Sequence, residues 1–204
     1  FFIFIWLQSK QKKVFYSFRG IPFAKPPIND LRFKAPEKNN RWTETIDAFD
    51  FGNDCIQKNS PTFDPVAIGS EDCLYINVYF PGDCKSINSK TKLPVMISIY
   101  GGGFIVGSSR FYGPDFLIET NVIVVTFNYR LVIFGSLSLD LPEYSGNMGM
   151  KDQRLALRWV YENTEHFGGD KNKITLAGHS AGAMSVGLHV INSQSNFFDS
   201  KKRF

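Results

Sequence analysis

Five residues, Gly178-His179-Ser180-Ala181-Gly182, constrain this chain more than any other stretch, because of what stands on either side of them. Ile174-Thr175-Leu176-Ala177 reads as a short buried strand, and residues 183–191 read as a helix. A strand that passes into a helix through Gly-x-Ser-x-Gly needs a tight, strained turn. The two glycines lack the β-carbons that would meet the neighbouring strand and helix, and the central hydroxyl is lifted clear of the sheet. Chance alone gives such a pentapeptide roughly 0.07 times in a chain of this length, and the strand-turn-helix setting lowers that further. Ser180 is therefore the candidate nucleophile, exposed at a helix N-terminus whose partial positive charge, with the N–H of Ala181, favours an oxyanion.

The rest of the chain is read around that turn. Residues 94–100 and 122–127 are near-continuous apolar runs rich in Val and Ile, as strands buried on both faces of a largely parallel sheet require. Residues 74–79 alternate with period two, which predicts a strand with unlike faces. Residues 17–36 carry Pro22, Pro26, Pro27 and Pro36 and read as extended and turn-rich. Residues 151–166 have helical spacing, with Asp152 near the start and Gly168-Gly169 as the stop. Strand, helix, strand, helix predicts one α/β layer structure with right-handed crossovers over residues 1–204, without a linker.

A second glycine motif follows the strand at 94–100. In Tyr100-Gly101-Gly102-Gly103-Phe104 three successive glycines let main-chain N–H groups approach a substrate closely. Gly102 and Gly103 are the candidate donors, a loop that complements the nucleophile turn.

Composition narrows the function classes. Apolar residues make up 43% of the 204 and aromatic ones 15%, which excludes a disordered chain. The net charge of +4 is mild, and the basic clusters at 10–13 and 201–203 read as solvated tails, so no nucleic acid partner is expected. The longest apolar run, residues 1–7, falls well short of the ~20 residues a spanning helix needs. It reads as the tail of a clipped signal peptide or as a first strand. Three cysteines lack zinc spacing. Cys55 and Cys73 frame a loop that one bridge can close, worth about 3 kcal/mol on the loop-entropy model. Cys84 is then left over, and no Asn-x-Ser/Thr acceptor is present.

With both motifs in hand, the chain resembles the type-B carboxylesterase family, which includes the cholinesterases, within the α/β-hydrolase fold. The resemblance rests on Phe18-Arg19-Gly20-Ile21-Pro22-Phe23-Ala24 with Pro26-Pro27, Leu31-Arg32-Phe33, Glu71-Asp72-Cys73-Leu74-Tyr75-Ile76-Asn77-Val78 and Asn128-Tyr129-Arg130-Leu131. Gly146-Asn147-Met148-Gly149 with Asp152-Gln153, Phe167-Gly168-Gly169-Asp170 and the Ser180 turn complete the family's order.

The resemblance implies a mostly parallel central sheet flanked by helices, with the C-terminal part of the fold missing. It makes Ser180 the nucleophile, gives the oxyanion donors as Gly102, Gly103 and Ala181, and pairs Cys55 with Cys73. It also implies two structural ion pairs, Arg32 with Glu71 and Arg130 with Asp170. The substrate is a small carboxylic ester, hydrolysed through an acyl-serine intermediate without metal or organic cofactor. A secretory location is expected, with a cytoplasmic one open.

Departures from the family pattern matter as well. His179 stands where many members have Glu, Tyr100 where the glycine loop usually begins with His, and Val132 where Gly is usual. Residues 56–72 lack the Trp of cholinesterases. Choline esters are therefore not expected. The acidic and histidine partners of Ser180 are implied downstream of the 24 residues that follow it, and the chain begins at Phe1 rather than Met. His166 precedes Ser180, His179 is its neighbour in a tight turn, and His189 lies about 13 Å along the next helix at 1.5 Å per residue. None of the three is expected to act as base. The chain reads as an N-terminal fragment that is inactive alone, with an unpaired apolar sheet edge at its last strand. The alternative from another class is a non-catalytic cholinesterase-like adhesion or binding module.

Overall fold

Runs rich in Val, Ile and Phe build a sheet here, and the order of its strands decides where the site lies. The computed structural model describes residues 2, 3, 5–59, 66–83, 87 and 90–195. The chain starts with β1 (Phe2–Ile3), β2 (Ile5–Gln8) and β3 (Val14–Pro22), then runs through β4 (Ile46–Asp47), β5 (Gln57–Lys58) and β6 (Ala67–Ile68). β7 (Tyr75–Pro81), β8 (Leu93–Ile99) and β9 (Ile123–Phe127) follow. Next come helices α1 (Val132–Ser136) and α2 (Met148–Asn163), strand β10 (Gly169–Gly178) and helix α3 (Ala181–Ile191).

The main sheet has six strands in the order β10-β8-β9-β7-β3-β2. β10, β8 and β9 are mutually parallel, while β7, β3 and β2 each reverse direction against the strand before. β3 therefore shares the direction of the parallel three, so four of the six strands point the same way. With helices packed against it, this is the α/β-hydrolase arrangement.

Core and propensity agree at the centre of the sheet. Every residue of β9 is buried, as its apolar run requires. β7 departs from expectation: all but its first residue is buried, so its period-two pattern does not mark a solvated face. Asn77 is tolerated there because its carboxamide donates to Thr126 Oγ1 (3.0 Å) and Ser109 Oγ (3.1 Å) and accepts from Gly20 N (3.0 Å). Fully burying side chains such as Ile76, Ile97, Ile99 and Phe127 contributes about 1.5–3 kcal/mol each.

Local details refine the sequence reading. Residues 17–22 belong to β3, and the turn-rich stretch begins only after Pro22 closes that strand. Helix α2 starts at Met148, earlier than its charge pattern suggests, and a 3-10 turn at Thr164–Phe167 ends at Gly168, whose φ of 75° a glycine takes without strain. The basic cluster at 10–13 is no solvated tail. It turns the β2–β3 hairpin, and Lys13 donates to Asn121 Oδ1 at 2.8 Å while Lys10 sits 4.9 Å above the Phe116 ring. The cluster at 201–203 and Cys84 lie outside the described residues.

Among the described residues β10 is the last strand of the sheet, paired only with β8. Its edge is more polar than expected, with Lys171, Asn172, Lys173 and Thr175 along it. The apolar exposure falls instead on α3, where Met184, Leu188 and Ile191 are 65%, 47% and 80% exposed on one face. No helix among the described residues is long and apolar enough to cross a membrane.

Candidate active site

β10 ends at Gly178 and α3 begins at Ala181, so the chain reverses within two residues. Ser180 takes φ 53° and ψ −121°, a conformation outside the regions that L residues favour. Its side chain makes no capping hydrogen bond to the helix, so it is not an ordinary N-cap serine. The flanking glycines are sterically required. A β-carbon on Gly178 would collide with the main chain of Gly182, and one on Gly182 with that of Ile99.

The glycine triplet is seated directly against this turn. A β-carbon on Gly101 would meet His179 O and stand 2.9 Å from Ser180 Cβ. Gly102 has φ 121° and Gly103 φ 63°, and Gly102 O accepts from Ile105 N (3.0 Å) and Val106 N (3.1 Å), so the loop is a tight turn. Among the described residues the N–H groups of Gly102, Gly103 and Ala181 donate to no protein acceptor. Gly102 and Gly103 belong to the loop whose Gly101 is seated against the serine turn, and Ala181 directly follows Ser180.

Beneath the loop, Tyr100 and Tyr129 stack with ring centroids 4.4 Å apart. Tyr129 Oη donates to Tyr100 O (2.9 Å) and Tyr100 Oη to Tyr129 O (3.1 Å). Burial pushes both phenols up from their ordinary range, which keeps them neutral donors. Tyr100 thus anchors the loop where a histidine is usual. Val132, which stands where Gly is usual, takes φ 47°, and its N–H donates to Phe104 O at 2.9 Å.

Two residues of the turn region carry imidazoles, and the hydrogen-bond partners of both are groups other than Ser180. His179 is exposed, its Nδ1 3.5 Å from Tyr112 Oη. His189 is buried, with Nδ1 2.9 Å from Ser195 Oγ and Nε2 3.0 Å from Gln153 Oε1, so both ring nitrogens are occupied. His166 stands past the C-terminal end of α2. There a cavity of about 840 Å³ is lined by Trp42, Trp159 and Phe167. A smaller cavity of about 350 Å³ adjoins the glycine loop, lined by Gly103, Phe104, Ile105, Val132, Met150 and Leu188. Of the candidate donors, Gly103 lines the smaller one.

The disulfide Cys55–Cys73 is present, with an S–S distance of 2.03 Å. Arg32 faces Glu71 through two contacts, 2.5 Å and 2.7 Å. The expected Arg130–Asp170 pair is not formed. Arg130 binds Asp152 instead, with Nε to Oδ2 at 2.8 Å, Nη2 to Oδ1 at 2.7 Å and its own N–H to Oδ2 at 3.0 Å, while Asp170 is 3.6 Å from Lys173. Topology gives the reason. Arg130 follows the C-terminal end of β9, whereas Asp170 opens the ten-residue β10, which runs the same way two strands across. At roughly 3.3 Å per residue the two lie at opposite ends of the sheet. Asp152, in the first turns of α2, was the carboxylate at the right end, and its place in a Gly-Met-Lys-Asp run at a helix start was the available signal.

Among the described residues no group of three or more His, Cys, Asp or Glu stands together to hold a metal ion. Comparison with known proteins agrees with the geometry. The profile of the carboxylesterase family matches residues 6–201. Juvenile hormone esterase of Tribolium castaneum is 50% identical over 189 residues, covering 92% of this chain and 32% of that protein. Esterase B1 of Culex pipiens is 46% identical (89% and 33% covered), and acetylcholinesterase 1 of Caenorhabditis elegans 43% (92% and 32%). The chain spans about a third of the length of these curated relatives. With the profile matching nearly the whole of these 204 residues, the chain belongs to the carboxylesterase family.

Proposed function

We propose that the protein to which this chain contributes hydrolyses carboxylic esters, with Ser180 as nucleophile. The observation that carries this is the seating of Gly101 against Ser180, which brings the glycine loop and the serine turn to one place. In the proposed reaction Ser180 Oγ attacks the ester carbonyl carbon, and the N–H groups of Gly102, Gly103 and Ala181 receive the oxygen as it becomes anionic. The alkoxide leaves protonated, water then attacks the acyl-serine, and Ser180 is regenerated.

A histidine must take the serine proton and return it. His189 is sealed by Gln153 and Ser195, and burial together with the charge of Arg154 pushes its pKa down to about 4. The base and its acidic partner are therefore assigned to the two thirds of the relatives' length that this chain does not span. The 204 residues alone are expected to turn over little or no ester.

The substrate is proposed to be an uncharged ester. The cavity beside Gly103 is walled by Phe104, Ile105, Val132, Met150 and Leu188, and His179 supplies no anion beside the nucleophile to hold a cationic alcohol group. The Tribolium relative, whose name is that of a hormone esterase, fits this better than the acetylcholinesterase relatives. The Cys55–Cys73 bridge supports passage through an oxidising compartment, and a secretory location is proposed on that ground.

The test is a fluorophosphonate probe applied to the longer protein encoded by transcripts that continue past Phe204. Labelling is expected on Ser180 and lost in Ser180→Ala. Equal labelling of both, or of neither, would overturn the reading.

A further inference from the structure

We infer that Gln57 is a positioning residue for the glycine loop, a step that rests on the proposed role of Gly102 and Gly103 as oxyanion donors. Gln57 opens β5, two residues after the disulfide cysteine Cys55, and is only 7% exposed. A buried carboxamide must satisfy its hydrogen-bonding groups, and this one does so entirely on main chain. Gly107 N donates to Oε1 at 2.8 Å, while Nε2 donates to Gly107 O at 2.9 Å and to Cys55 O at 3.1 Å. Exchanging the amide's oxygen and nitrogen would set N–H against N–H and oxygen against oxygen, so the partners fix its orientation. The side chain thereby acts as a neighbouring strand for a single residue.

That residue closes the glycine loop. A β-carbon on Gly107 would stand 2.6 Å from Gly101 O and 2.6 Å from the Tyr100 ring, so the two ends of residues 101–107 touch. The turn between them is held by Gly102 O, which accepts from both Ile105 and Val106. Fixing Gly107 thus fixes Gly101, and with it the direction of the Gly102 and Gly103 N–H groups. The two anchors divide the work: Tyr129 bonds the start of the loop at Tyr100 O, and Gln57 bonds its end. The residues after Gly107 are tied to the same disulfide segment, since Ser108 Oγ donates to Asp54 Oδ1 (2.5 Å) and Arg110 Nε to the same oxygen (3.0 Å). Gln57 meets no reacting atom, so its contribution is to the aim of donors that must lie within about 2.7–3.1 Å of an oxyanion.

The test uses the longer protein with Gln57→Met, which keeps length and volume but removes all three bonds, and Gln57→Glu, whose carboxylate accepts from Gly107 N but faces two carbonyl oxygens. Both variants are expected to lower kcat roughly 10- to 100-fold with KM within about twofold. Affinity for a trifluoromethyl ketone, which forms a tetrahedral adduct on the serine, is expected to fall by the same factor as kcat. A kcat within twofold of wild type, or a loss expressed in KM alone, overturns the inference. Amide hydrogen exchange supplies a readout independent of turnover: residues 101–107 are expected to exchange faster in Gln57→Met while residues 95–99 keep their protection. Unchanged exchange at 101–107 overturns the inference even when wild type hydrolyses esters. A wild type that hydrolyses none, with exchange at 101–107 accelerated in the variant, refutes the esterase reading and leaves Gln57 as the loop's anchor.

Discussion

Gly101 and Ser180 are separated by a strand, two helices and a further strand in sequence, yet a β-carbon on the glycine would stand 2.9 Å from that of the serine. A side chain at 101 must push the serine turn aside, because His179 O also blocks it and main chain gives way only at a cost. Gly101→Ala is therefore expected to lower stability by about 1–3 kcal/mol. The rate of fluorophosphonate labelling at Ser180 should fall at least ~100-fold in the longer protein, since both the turn and the donor loop shift. Labelling at the wild-type rate would show that the loop and the turn are not mechanically joined.

The Arg130–Asp152 pair makes a second, contrasting forecast. Both side chains are buried, and burial pushes the Asp152 carboxyl up while three hydrogen bonds from Arg130 work against that. Removing one charge leaves the other uncompensated, so Asp152→Asn should cost about 3–5 kcal/mol in urea unfolding. Asp170→Asn should cost less than about 1 kcal/mol, because its partner Lys173 is a solvated lysine 3.6 Å away. The reverse ranking would restore the Arg130–Asp170 assignment.

These two cases mark what a single sequence reveals. The Ser180 turn and the glycine triplet were legible because each is a demand of local backbone geometry: a positive φ or a missing β-carbon has to be written into adjacent residues. The buried run of β9 was legible for the same reason, since burial on both faces removes polar residues, whereas β8 buries only alternate residues despite its apolar run. Partners distant in sequence were not legible. Asp152 and Asp170 are both carboxylates near a helix or strand start, and only the strand order says which lies at the C-terminal end of β9. Gln57 left no signal at all, because its partner is main chain and any residue type shows the same N–H and C=O.

Val132 offers a test by improvement. A β-branched residue at φ 47° is strained, and left-handed backbone costs an L residue about 1–2 kcal/mol. Val132→Gly removes that strain while keeping the N–H that donates to Phe104 O. Against the gain stand the greater freedom of glycine in the unfolded chain and some lost packing against the core. The net expectation is a stabilisation of about 1 kcal/mol, read as a higher urea midpoint with unchanged slope. A lower midpoint would mean that the packing of the valine outweighs its backbone strain.

The pH dependence of stability should carry the signature of His189. Its pKa is pushed down to about 4 by burial and by the charge of Arg154, against an ordinary value of 6.5. Between those two values the unfolded chain binds a proton that the folded chain does not, so stability is fully present above pH 6.5 and is lost as pH falls toward 4. Integrated over the window, the loss is roughly 3 kcal/mol. Carboxylates act in a lower range: Glu162, Glu165 and Asp170 are held below their ordinary values by cations and hydrogen bonds, so their stabilisation is lost only below about 4.5. Urea unfolding of wild type and His189→Gln at pH 7 and pH 5 separates the two. Glutamine keeps a donor and an acceptor for Gln153 and Ser195 but does not titrate, so the variant should lose markedly less stability between the two pH values than wild type. An identical loss in both would place the acid sensitivity in some other group.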